Sequence, residues 1–98
     1  MPIAYESLFG GGGGGGIASI QRGTITIANS TTSNTATISA VDPSKSFVIW
    51  NGSKFTGSYS NFSGALASVN LTNATTVTAE RSSTLQDIVV AFTVVEFS

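Results

Sequence analysis

The sequence predicts an all-β domain, a small antiparallel β-sandwich or jelly-roll-like barrel, carried behind a flexible N-terminal arm. Three observations point there. From Ile17 onward the chain is made of short β-branched runs separated by Gly, Asn, Asp, Ser and Pro, the texture of strands and turns. Within the runs, apolar residues alternate with Ser and Thr at a period of two, and no stretch carries a helical period. A chain of 98 residues has room for one domain, and without a crossover helix its strands are expected to pair antiparallel.

The first strand is expected from Ile17 to Ala28. Ile25 and Ile27 share a face, whereas Ile20 has the opposite parity, so a bulge at Gly23 is expected to bring Ile20 onto the same face. "NSTTSN" reads as a turn, and "TATISA" follows with Ala36, Ile38 and Ala40 facing in against Thr35, Thr37 and Ser39. "VDPSKS" is a stronger turn. Pro43 fixes its own φ and disfavours helix at Asp42, while Asp42 and Ser44 can bond nearby backbone. "FVIWN" is apolar on both faces, which places Phe47 to Trp50 centrally. "NGSKFTGSYSNFSG" reads as a long polar-aromatic loop in which Asn51-Gly52 can form a tight turn. In "ALASVNL" the residues Ala65, Ala67, Val69 and Leu71 share a face and Leu66 does not. "TTVTAER" opposes Val77 and Ala79 to Thr76, Thr78 and Glu80, and "RSSTLQ" reads as a hairpin loop. The last run, "DIVVAFTVVEF", is apolar on both faces from Ile88 to Val95, so it needs a second cover beyond its own core. In so small a domain that cover is expected from a neighbouring subunit. Edge strands rich in Thr and Ser but poor in Lys are also weakly protected against pairing with another chain.

Residues 1–16 stand apart from the β domain at 17–98. The head, "MPIAYESLF", holds Ile3, Tyr5, Leu8 and Phe9 but is too short to make a core, and seven consecutive glycines, Gly10 to Gly16, follow it. Glycines favour no single backbone state, and extended they reach roughly 25 Å. An apolar head on such a tether is the sequence form of an anchoring arm; the alternative is a disordered leader.

Composition narrows the chemistry. Cysteine and histidine are both absent, so Ser-His and Cys-His nucleophiles, zinc sites and disulfide staples are excluded. The acids Glu6, Asp42, Glu80, Asp87 and Glu96 are dispersed, which gives no carboxylate pair for general acid–base work. Charged residues make up 9% of the chain and the net charge is −1. Arg22, Lys45, Lys54 and Arg81 form no basic stripe for nucleic acid. No apolar run approaches the roughly 20 residues of a membrane span, and no secretion signal is visible. The glycine run lacks the strand, the Lys-Ser/Thr pair and the helix of a phosphate loop. Asn29, Asn51, Asn61, Asn70 and Asn73 fit the glycosylation pattern, but these residue types also serve turns and strand edges, the reading favoured here. "KFTGSYSNFSG" offers Phe55, Tyr59 and Phe62 among small polar residues, a recognition-type composition; its alternative is a loop closing the open end of the sandwich.

Taken in order, "SIQRGTITI", "TATISAVDPSKSFVIW", "LTNATTVTAERSS" and "VVAFTVVEF" resemble a group of small β proteins encoded by tailed bacteriophages and prophages, over Ile17 to Phe97. Gln21, Arg22 and Gly23 carry the first motif, Asp42 the Val-Asp-Pro turn and Glu96 the Val-Val-Glu-Phe end. The resemblance implies a virion structural component and no catalytic role. The expectation is a capsid decoration or cement protein, made in the host cytoplasm and placed on the capsid surface. It would form homo-oligomers, as trimers over junctions of the major capsid protein or another virion protein, with Ile3, Tyr5, Leu8 and Phe9 buried against a neighbour. The alternative is a tail, collar or fibre-associated module whose loop from Phe55 to Phe62 meets a host glycan or another tail protein. Neither reading calls for a cofactor, a metal, nucleic acid or a membrane.

Overall fold

The computed structural model describes residues 16–56 and 65–98. Six strands are formed: β1 (Ile17–Ile27), β2 (Ser33–Thr37), β3 (Ser46–Phe55), β4 (Ala67–Asn73), β5 (Thr76–Arg81) and β6 (Ile88–Phe97). They build two antiparallel three-stranded sheets packed as a sandwich, sheet A in the order β1-β6-β3 and sheet B in the order β2-β5-β4. Among the described residues only β4 and β5, adjacent in both sequence and sheet, form a hairpin, around a turn in which Asn73 Oδ1 accepts from the Thr75 N–H at 2.9 Å. Every other connection between consecutive strands passes from one sheet to the other.

The core lies between the sheets, where period-two alternation delivers one face of each strand. Ile25, Ile27, Ile88, Val90, Phe92 and Val94 come from sheet A, and Val77 and Ala79 from sheet B; Val41 adds to them from the β2–β3 connection. Ala36, Ile38, Val48, Phe55, Ala67, Val69 and Leu71 pack around this cluster.

Five expectations are corrected. The second strand is Ser33–Thr37, so it begins inside "NSTTSN" and ends before Ile38, and Ala40 is exposed in the connection that follows. Gly23 is no bulge: it pairs directly with Phe92, the strand's irregularity falls between Ile17 and Ser19, and Ile20 stays on the outer face at 44% exposure. Gly23 instead makes room for a ring, since a Cβ there would lie 2.7 Å from Phe92 Cζ. Phe47 to Trp50 belong to an edge strand, not a central one, because β6 takes the middle of sheet A. β3 runs on to Phe55 through an irregularity at Asn51, so Asn51-Gly52 is not a turn; Gly52 has φ 115°, open to glycine and strained for other residues. "RSSTLQ" joins β5 to β6 across the two sheets and is not a hairpin loop.

That crossing is held by Arg81. The side chain is buried, at 6% exposure, and its guanidinium donates to the carbonyls of Thr31, Leu85, Ala28 and Gln86 at 2.7 to 3.2 Å. It thereby ties the β1–β2 and β5–β6 connections together. Asn29 strengthens the tie, its N–H donating to Asp87 Oδ1 and its Oδ1 accepting from the Gln86 N–H.

At the opposite end the β2–β3 connection is strapped to sheet A. The Gln21 amide donates to the Ser39 carbonyl and accepts from its N–H, both at 2.9 Å. Glu96 accepts from the Asp42 N–H at 2.8 Å and from Ser19 Oγ at 3.1 Å. Asp42 caps a single 3-10 turn, Pro43–Lys45. Its carboxylate accepts from Ser44 Oγ and the Ser44 N–H at 2.7 and 2.9 Å. Those bonds, with Lys45 nearby, hold its pKa below the ordinary carboxylate value.

Candidate interaction surface

The two sheets turn different chemistry outward. Directly opposed residues of an antiparallel pair share a face, so the ladders define each surface as rows across three strands. On sheet B the rows are Ser33–Glu80–Ser68, Thr35–Thr78–Asn70 and Thr37–Thr76–Asn73. This is a hydroxyl and amide surface with one carboxylate, Glu80, and its groups bond water well.

On sheet A the rows are Ile20–Val95–Phe47, Arg22–Thr93–Ile49, Thr24–Ala91–Gly52 and Thr26–Val89–Lys54. Beyond the first of these, Phe97 pairs with Ile17 and its ring lies 5.7 Å from that of Phe47. The apolar residues therefore concentrate at one end of the face, the end where β1 begins. Ile20, Phe47 and Ile49 are 44%, 44% and 41% exposed, and a shallow groove over β6 runs between Ile20 and Ile49, past Arg22, Ala91 and Val95. Covering those three side chains would contribute on the order of 1 kcal/mol each. Thr93, in the groove floor, donates its hydroxyl to Asn51 Oδ1, which satisfies a polar group that would otherwise interrupt the patch.

Electrostatically the face is one-sided. Its charged residues are Arg22 and Lys54, both cations, and its rows contain no acid. The acids Asp42, Asp87 and Glu96 are engaged in accepting backbone N–H groups. Among the described residues no group of three or more His, Cys, Asp or Glu side chains converges as a metal would require.

Of the residues expected to meet a partner, Ile3, Tyr5, Leu8, Phe9, Tyr59 and Phe62 lie outside the described residues. Phe55 is described and turns inward: as the last residue of β3 it pairs with Ile88 and packs against the core. The motif residues have structural duties. Gln21 and Glu96 strap the β2–β3 connection, Asp42 caps its turn, Gly23 admits the Phe92 ring, and Arg22 alone among them faces outward.

Sequence reasoning did not identify Ile20, Phe47 and Ile49 as the exposed residues that flank "IVVAFTVV". Two signals were present: the parity of Ile20, opposite to that of Ile25, and the apolarity of "FVIW" on both faces. A second exposed pair, Trp50 at 46% and Leu66 at 66%, lies on the rim between β3 and β4. Comparison of the chain with protein-family models, with curated proteins and with solved structures finds no match.

Proposed function

We propose that this chain is a non-enzymatic structural protein of a phage virion, a capsid decoration or cement protein that acts by assembling, as a homotrimer, on the major capsid protein or another virion protein. The observation that carries the assembling part is the outer face of sheet A, where Ile20, Phe47 and Ile49 stand exposed around a central apolar strand while the opposite face is polar. A surface of that kind gains by contact with another protein. The virion part rests on the sequence resemblance over Ile17 to Phe97. Against catalysis stand the lack of any His or Cys and the structural employment of Asp42, Asp87 and Glu96.

A second reading, a tail, collar or fibre-associated module, is favoured by Trp50 and Leu66, which are exposed together around a shallow depression lined also by Ser68 and Glu80.

Two measurements test these readings. Light scattering of the full-length chain at micromolar concentration is expected to give three times the monomer mass. Antibody labelling of purified phage particles is expected to decorate heads. A stable monomer with label on tails transfers the assignment to the second reading, and particles without label overturn both.

A further inference from the structure

We infer that the outer face of sheet A is the seat of the N-terminal head, residues 1–9, delivered by a second copy of this chain. The inference rests on the assembly reading above and names the partner of its surface. Four observations carry it.

The first is complementarity of charge. The face carries Arg22 and Lys54 and no acid, whereas the head carries Glu6 as its one charged side chain. Arg22 sits in the groove between Ile20 and Ile49, so one cation is framed by apolar side chains. In sequence the head pairs that one carboxylate with the apolar residues Tyr5, Leu8 and Phe9.

The second is place. The apolar end of the face, with Ile17, Ile20, Phe47, Val95 and Phe97, is the end at which β1 begins. Copies that cluster with these ends together bring each tether to a neighbour's groove over the shortest path.

The third is reach. The Ser98 N–H donates to the Gly16 carbonyl at 2.9 Å, so pairing at this end of the sheet reaches back to Gly16. Gly10 to Gly15 and the head precede that point. A return onto the chain's own Ile20 needs only a short turn of about two to five residues. The glycine run is longer than such a turn requires. Extended, it spans roughly 20 to 25 Å, the distance to an adjacent small domain.

The fourth is closure. Passing each head to the next copy is a head-to-tail contact, which closes into a ring when the rotation allows. Holding several weak contacts in one ring raises the effective concentration of each.

The chain's lack of cysteine makes the test direct. Phe9→Cys chains are mixed with Ile49→Cys chains under mild oxidant, so that a disulfide between the two variants can form only between copies. A parallel mixture uses Thr35→Cys, on the outer face of sheet B, and far-UV circular dichroism verifies the fold of each variant. The expected result is a heterodimer yield roughly tenfold above the Thr35→Cys control. Glu6→Arg or Arg22→Glu alone is expected to cut that yield by about fivefold, and the two together to restore it. Equal yields at Ile49 and Thr35 overturn the inference. So does a Phe9→Cys/Ile49→Cys double variant that yields only internally bridged monomer. A trimer by light scattering with equal yields leaves the assembly reading standing and removes the head from the seat. A specific disulfide in a chain that otherwise runs as monomer keeps the head in the seat and overturns the trimer.

Discussion

At Gly23 the chain gives up a side chain to admit a neighbour's. The Phe92 ring lies over that backbone and is itself buried, at 2% exposure, so it has little room to yield. Gly23→Ala is therefore expected to destabilise the domain by about 1 to 3 kcal/mol, measured by urea unfolding, because a new methyl overpacks a filled site. Combining it with Phe92→Leu should cost less than the sum of the two single changes, since the ring the methyl strikes is gone. Asp42 makes a different prediction, one of pH. Its carboxyl is favoured in the charged form by Ser44 and Lys45, so its folded pKa lies below the unfolded one. A depressed carboxylate stabilises the fold above the unfolded value and loses that contribution as pH falls through the folded value. The stability difference between the wild-type chain and Asp42→Asn is thus expected to be constant near neutrality and to shrink as pH drops below about 4. Chemical unfolding across a pH series reads it directly.

Between residues and whole domain, the β2–β3 connection is the element whose order depends most visibly on a few contacts. Its amides at Ser39 and Asp42 are held by the side chains of Gln21 and Glu96. Glu96→Ala is expected to speed hydrogen exchange at the Asp42 amide and to leave the Phe92 and Val94 amides in the middle of β6 protected. Alternation made the strands themselves legible, because a period of two survives wherever one face is buried. Thus Val77 and Ala79, or Ala67, Val69 and Leu71, could be placed inward from sequence. What alternation does not carry is which strands are neighbours. The apolarity of "FVIW" on both faces suits a central strand, and it suits equally an edge strand with exposed apolar side chains, which is what β3 is. Arg81 was beyond sequence reasoning for a similar reason. The carbonyls it serves belong to segments distant from it in the chain, such as Ala28 at a separation of 53 residues, and an isolated cation in a turn-like stretch gives no sign of them.

For the molecule as a whole, the two faces divide the work. Sheet B presents Ser, Thr, Asn and Glu80 to solvent, which allows sheet A to be apolar without the protein being sticky on every side. Ile49 is the sharpest probe of this division, being exposed, on the groove wall and absent from the core. Ile49→Lys is expected to reduce the full-length chain to monomer by light scattering at micromolar concentration, while the unfolding free energy, compared at dilutions where both chains are monomeric, stays within about 0.5 kcal/mol of wild type. Retention of the oligomer would show that copies meet elsewhere.

The strand order has a consequence for how the chain comes to be folded at all. β6 is the middle of sheet A and follows the other five strands in sequence. During synthesis, β1 and β3 therefore wait without a sheet partner until β6 emerges, and contacts such as Ser19 to Glu96 close a separation of 77 residues. Such distant pairing makes folding slow. A chain interrupted before Ile88 would hold the three strands of sheet B and two orphaned strands of sheet A, with Ile20, Ile25, Val48 and Ile49 open to other chains. Truncation at that point is accordingly a route to aggregation rather than to a smaller domain.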